Sequence, residues 1–224
     1  MSVLEVKGLT ISYKADTTCY RYPELKLNEG ECLVIMGKTG TGKTTLLNAL
    51  FGLAFPGNII YEKANLLGDD IVKAKKNMYN FISYMPQFSQ SALNPCLTIR
   101  RHIEDVEKSC PSPTNNNYIQ MLEELKLEAD VLDKFPHQLS GGMKQRIVML
   151  LALLKKPKLL VLDEPSTAID AITLKIILNM LQEKKKEGIA MLMVSHDLGF
   201  VVHLADNILK LDEGDHHEGI IKGC

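Results

Sequence analysis

The chain has 224 residues, 46% of them hydrophobic and 24% charged, with a formal net charge of −1. That length suffices for one domain with a well-buried core, and the balanced charge argues against a nucleic-acid partner or an anionic membrane surface. No apolar run approaches the roughly 20 residues of a spanning helix, residues 1–7 lack the basic start and apolar stretch of a secretory signal, and the five scattered cysteines form no C-x-x-C pair, which excludes a disulfide framework or zinc site and fits a reducing compartment.

In chain order, residues 3–6 alternate apolar and charged side chains and read as an edge strand. Residues 31–36 form a short apolar strand that runs into a glycine-rich turn, and residues 43–51 a helix. Residues 81–85 read as another strand. From residue 97 to residue 155 the pattern is helical, interrupted at residues 110–117, where two prolines and three asparagines predict a surface loop. Residues 159–162 have the continuous apolar character of a strand inside a parallel sheet. Residues 172–187 form a helix ended by Gly188. Residues 189–194 and 207–211 are the last two strands. Strands alternating with helices predict an α/β domain. Residues 1–84 and 156–224 are its core, and residues 85–155 are an inserted helical unit.

Between the strand 31–36 and the helix 43–51 stand Gly37, Lys38, Thr39, Gly40, Thr41, Gly42, Lys43 and Thr44, followed by Thr45. The pattern G-x-x-x-x-G-K-[ST] in a strand–turn–helix context is a phosphate-binding loop. Its glycines let consecutive backbone N–H groups point at phosphate oxygens, and the helix start adds a positive dipole end. Lys43 supplies a point charge to the β- and γ-phosphates, and the Thr44 hydroxyl suits Mg²⁺, which prefers hard oxygen ligands. The side chains of Lys38, Thr39 and Thr41 read as spectators. The apolar strand 159–162 then delivers Asp163 and Glu164 at its carboxyl end, where ligands sit in open α/β sheets. Asp163 is placed to hold Mg²⁺ through water and Glu164 to polarise an attacking water, a role typically contributing ~10²–10⁴-fold in rate.

Three further strings narrow the reading. Leu139 to Arg146, reading Leu-Ser-Gly-Gly-Met-Lys-Gln-Arg, resembles the signature sequence of ATP-binding-cassette proteins. Gln87 resembles that family's Q-loop glutamine, Ser195-His196-Asp197 its switch-histidine motif, and the Ser-Thr-Ala-Ile-Asp run at residues 166–170 its D-loop. The resemblance implies a P-loop NTPase (RecA-like) core with an N-terminal antiparallel β-subdomain and an inserted α-helical signature subdomain. It implies an ATPase using ATP and Mg²⁺, with Glu164, His196 and Gln87 as catalytic residues and Thr44, Gln87 and Asp163 around the metal. Ser140, a natural helix N-cap, with Gly141 and Gly142, would contact the ATP held by a second such subunit in a head-to-tail dimer. An aromatic residue usually stacks on the adenine; Tyr13 is the candidate, with Tyr20 and Tyr22 competing.

The Ser-Ala-Leu-Asn-Pro run at residues 91–95 and the stretch from Ser195 to Val202 are similar to those of peptide and nickel importer ATPases. This implies membrane permease subunits as partners, an extracytoplasmic solute-binding protein in the complex and a peripheral place on the cytoplasmic face of the membrane. Residues 87–101 would form the coupling surface, with Arg100 and Arg101 either contacting the permease or merely solvated. The alternative is a non-transport member of the family acting in repair or on ribosomes.

Overall fold

The computed structural model describes residues 1–13, 18–52, 55–87, 89–110, 118–167, 169–211 and 216–218. Residues 111–117 of the expected surface loop, and Ala168 of the 166–170 segment, lie outside them. The first half of the chain contains β1 (Ser2–Lys7), β2 (Thr10–Tyr13), β3 (Thr18–Arg21), β4 (Leu25–Asn28), β5 (Cys32–Gly37), α1 (Lys43–Phe51), β6 (Gly57–Ile60), β7 (Lys63–Leu66), β8 (Asp69–Asp70), α2 (Ile71–Ala74), β9 (Ile82–Met85) and α3 (Ile99–Ser109). The second contains α4 (Tyr118–Glu124), α5 (Gly141–Leu154), β10 (Leu159–Asp163), α6 (Ala171–Lys186), β11 (Ala190–Val194), α7 (Leu198–Val201), β12 (Asn207–Leu211) and β13 (His216–Glu218).

The centre is a five-stranded parallel sheet in the order β12-β5-β11-β10-β9. Its strands alternate between two cores. Leu160 and Leu162 of β10, Met191 and Met193 of β11, and Val34 of β5 face one core with Ile147, Leu150 and Ile177 of the helices α5 and α6. Val161, Leu192 and Ile35 face the other, with Leu46, Leu47 and Leu50 of α1 and with β1, β4 and β7. A strand buried on both faces cannot show a period of two in hydrophobicity, which is why these strands appear in the sequence as unbroken apolar runs.

Two antiparallel four-stranded sheets, β4-β1-β7-β8 and β13-β3-β2-β6, make up the N-terminal β-subdomain. Here the structure corrects two expectations. β1 is not an edge strand: β4 and β7 pair with it on either side. Nor is the strand at residues 207–211 the last, because β13 follows and pairs with β3. The helical unit, α3 to α5 with 3₁₀ turns at Ala129–Asp133 and Pro136–Gln138, packs Ile103, Leu122, Val131 and Leu132 around α5. Arg146 of α5 ties this unit together by donating to the carbonyls of Leu125 (3.0 Å) and Lys126 (2.9 Å).

Candidate nucleotide site

The parallel register aligns the strand ends. Asp163 lies opposite Val194, and Val194 opposite Ile35. The residues following β5, β9, β10 and β11 therefore emerge on one rim, at the carboxyl ends of the strands. After β5 the chain turns through Gly40 (φ 92°) and Gly42 (φ 85°), left-handed conformations that favour glycine. Gly42 caps α1 without side-chain help, so the first amides of α1 have no intrahelical acceptors and are free for an anion. Two tyrosines brace the turn. Tyr22 Oη donates to the Gly42 carbonyl (2.9 Å), and a side chain at Gly42 would stand 2.7 Å from both Tyr20 Cδ1 and Tyr22 Oη. Lys43 Nζ lies across the loop, donating to the carbonyls of Gly37 (2.7 Å) and Lys38 (2.8 Å). Thr41 is no spectator: it is buried, and its hydroxyl donates to the Lys38 carbonyl (2.9 Å). Lys38 and Thr39 are exposed.

Lys43, Thr44, Thr45, Gln87, Asp163 and Glu164 line one cavity of about 230 Å³, together with Thr39, Gly40, Gly42 and Tyr20. Gly37, Lys38 and Thr41 border a neighbouring hollow with His196 and Lys210. Asp163 Oδ1 is buried with no hydrogen-bond partner among the described residues, while Oδ2 lies 3.3 Å from Tyr84 Oη. Burial raises the Asp163 carboxyl above its ordinary range; the Tyr84 hydroxyl and Lys43 oppose that rise, and neighbouring Glu164 adds to it. A bare buried carboxylate oxygen beside a threonine and a glutamine side chain is an oxygen-donor set that fits Mg²⁺. Glu164 has φ 50°, a conformation costing of order 1–3 kcal/mol in a residue other than glycine. Its carboxylate is largely buried, and Oε2 stands 2.7 Å from His196 Nδ1.

The signature residues are elsewhere. Ser140 caps α5, accepting from the Met143 amide (3.3 Å), and Ser140 and Gly141 are exposed. None of Ser140, Gly141 and Gly142 lines the phosphate cavity. Beneath this helix start, Gln145 Nε2 donates to the Pro165 carbonyl (3.3 Å), next to Glu164. Of the three tyrosines, Tyr22 is buried, Tyr20 lines the cavity, and Tyr13 Oη is 3.2 Å from Thr45 Oγ1 with its ring 5.0 Å from Phe55. Burial takes Tyr22 out of the competition for a base.

A second, mostly apolar hollow of about 530 Å³ opens between β9 and α5, lined by Phe51, Tyr84, Pro86, Ala92, Leu93, Val148 and Leu151 among others. The segment beyond it is pinned by His102, whose Nδ1 lies 2.8 Å from the Thr98 carbonyl and whose Nε2 accepts from the Asn94 amide at 2.9 Å. Arg100 pairs with Asp133, and Arg101 with Glu104 and Asp105, which favours a solvated face for both. Sequence reasoning missed Tyr84, Gln145 and His102, and it offered Tyr22 for the adenine rather than as the brace of Gly42. A hint existed only for Tyr84, a polar-tipped residue in a short apolar strand three positions before Gln87.

Residues 20–167 match the protein family described as ABC transporter. The chain is 31% identical over 230 residues to the dipeptide transport ATP-binding protein DppD of Escherichia coli (strain K12), covering 96% of this chain and 70% of that protein. It is 31% identical over 233 residues to the oligopeptide transport ATP-binding protein OppD of Lactococcus lactis subsp. cremoris (strain SK11), covering 95% and 68%. Among solved structures, cbiO1 from Clostridium perfringens, part of the ABC transporter complex cbiONQ, is similar at TM-score 0.78 and 26% identity, covering 95% of this chain and 86% of that one. The dimeric post-hydrolysis state of the ATP-binding cassette MJ0796 bound to ADP and Pi is similar at TM-score 0.74 and 25% identity, covering 95% of each.

Proposed function

This chain belongs to the ABC transporter family, and on that premise we propose that it hydrolyses ATP in a head-to-tail pair of ATPase subunits to drive import of a peptide through separate membrane permease subunits. The observation that carries the reading is the meeting of Lys43, Thr44, Gln87, Asp163 and Glu164 in one cavity. In this reading Lys43 leaves the Gly37 and Lys38 carbonyls for the β- and γ-phosphate oxygens, and the amides at the start of α1 hold the same phosphates. Thr44, Asp163 and Gln87 would hold Mg²⁺, which when bound neutralises charge on the phosphate oxygens. Glu164 polarises the attacking water, and His196, 2.7 Å away, orients Glu164 and meets the γ-phosphate. Tyr13, beside Thr45, stacks on the adenine.

Ser140, Gly141 and Gly142 lie outside this cavity, with Ser140 and Gly141 exposed, which supports their use on the nucleotide of the other subunit. ATP then favours the closed pair only by the contacts it gains there. Residues 87–101, of which Ala92 and Leu93 line the hollow between β9 and α5, are the surface offered to the permease. No helix of the described residues is long and apolar enough to cross a membrane, in keeping with a peripheral subunit on the cytoplasmic face. Peptide as the solute, and a solute-binding protein outside the membrane, rest on the likeness to the DppD and OppD proteins. The test is Glu164→Gln, which keeps the size and planar shape of the side chain but removes the charge and cannot act as a base. It should bind ATP, stop hydrolysis and run as a dimer in ATP with magnesium on size exclusion with light scattering. Hydrolysis at the unmutated rate would remove Glu164 from its role.

A further inference from the structure

Tyr84 belongs to two sites at once. Its ring lines the apolar hollow between β9 and α5 with Pro86, Leu93 and Leu151, and its hydroxyl lies 3.3 Å from Asp163 Oδ2. The strands explain the reach. β9 and β10 run parallel with Tyr84 opposite Val161, so the long side chain leans along the strand direction to the carboxylate two residues further on. The bond is long for a phenol on a carboxylate, as catalytic hydrogen bonds often are before a ligand tightens the site. In this contact the phenol O–H donates and the carboxylate oxygen accepts. With Oδ2 engaged, the buried and unpartnered Oδ1 is the oxygen left for a cation.

We propose that Tyr84 is a positioning residue that ties the wall of this hollow to the metal carboxylate: its hydroxyl fixes the rotation of the Asp163 carboxylate, and its ring feels whatever fills the hollow. The proposal rests on the reading of Asp163 as the magnesium carboxylate. It adds a route from the hollow to the metal that does not pass through Gln87.

The structure supplies a matched control. Tyr79 lines the same hollow, but its hydroxyl donates to the Phe51 carbonyl (2.5 Å). Tyr84→Phe and Tyr79→Phe each remove one hydroxyl from the hollow's lining, and only the first touches Asp163. The readout is the affinity for a fluorescent ATP analogue of the full chain carrying Glu164→Gln, measured with magnesium and again with EDTA, and the ratio of the two. Tyr84→Phe should lower the ratio about tenfold, the low end of the scale of one hydrogen bond to a charged group, with the EDTA affinity unchanged. Tyr79→Phe should leave both affinities in place. Asp163→Asn checks the premise, since it should abolish the ratio. If Asp163→Asn keeps the ratio, the metal reading itself fails. If Asp163→Asn loses it while Tyr84→Phe keeps it, the positioning role fails, and a Tyr84→Phe loss equal in magnesium and EDTA reduces Tyr84 to a structural part.

A second arm fills the hollow from its far wall with Ala152→Leu on α5, a lining position. It should change the ratio at least about twofold, a shift of a few tenths of a kcal/mol, when Tyr84 is present and not when residue 84 is phenylalanine. An equal change in both backgrounds, or no change in either, severs the tie between hollow and carboxylate.

Discussion

A methyl group on Gly142 would stand 2.4 Å from Thr173 Oγ1 and 3.1 Å from Asp170 Oδ2. The first distance is about 1 Å short of ordinary contact, and Thr173 is buried. In Gly142→Ala one of two things must give. Thr173 can rotate, which breaks its hydroxyl's 2.8 Å bond to the Asp170 carboxylate at a cost of about 1.5–3 kcal/mol. Alternatively α5 slides off the start of α6, an overpacking strain of about 1–3 kcal/mol. Alanine recovers up to about 1 kcal/mol of helix propensity, so the net loss is about 1–2 kcal/mol, or roughly 2–8 °C in Tm for a chain of this size. Thr173→Ala removes the obstructing hydroxyl. The two substitutions should therefore be coupled by about 1 kcal/mol or more in a double-mutant cycle read by thermal unfolding, with Gly142→Ala close to neutral in the Thr173→Ala background. Strict additivity would refute the packing argument and leave Gly142 with the nucleotide alone. The double variant also separates two tasks: restored stability without ATP-dependent dimerisation would place the remaining need for glycine at the partner's phosphate.

Tyr22→Phe removes a buried donor from the Gly42 carbonyl. It should cost about 1 kcal/mol and weaken ATP binding equally with and without magnesium; an effect confined to magnesium would contradict its role as a brace of the loop. Lys43→Ala should weaken nucleotide binding far more than it lowers Tm, because the amine's present partners are two loop carbonyls that solvent can satisfy; unchanged binding by isothermal titration would overturn the phosphate-loop assignment. The Thr173 amide and then its hydroxyl hold the Asp170 carboxyl below its ordinary range. That contribution is present above the unfolded pKa of about 4 and is lost as pH falls through the lower folded value. The Tm gap between wild type and Asp170→Ala should accordingly be constant from neutral pH down to about pH 5 and close below it; a gap independent of pH would assign the cap no charge component.

What could be read from the sequence was local. The phosphate loop, the acid pair after β10 and the Ser195-His196-Asp197 run are contiguous strings whose chemistry follows from adjacent residues, and the apolar runs marked all five parallel strands to within a residue at either end. The N-terminal subdomain was poorly legible because its strands are mostly of four residues or fewer, too short for alternation to accumulate. β1 resembled an edge strand because its charged residues Glu5 and Lys7 look outward while β4 and β7 pair its backbone on both sides. Tyr84 on Asp163, Gln145 on Pro165 and Gly142 against Thr173 join residues 20 to 79 positions apart. Only the packing of β9, α5 and α6 brings those pairs together.

The central claim is that this ATPase works on a membrane permease. It is tested most directly by tagging the Glu164→Gln variant and purifying it, with ATP and magnesium, from detergent-solubilised membranes of its own host. The account predicts that a permease with several membrane spans co-purifies in defined stoichiometry and is lost when Leu93 in the wall of the hollow is changed to aspartate. Recovery only from the soluble fraction, with ribosomes, with nucleic acid or alone, would contradict it and give the non-transport branch of the family the stronger claim.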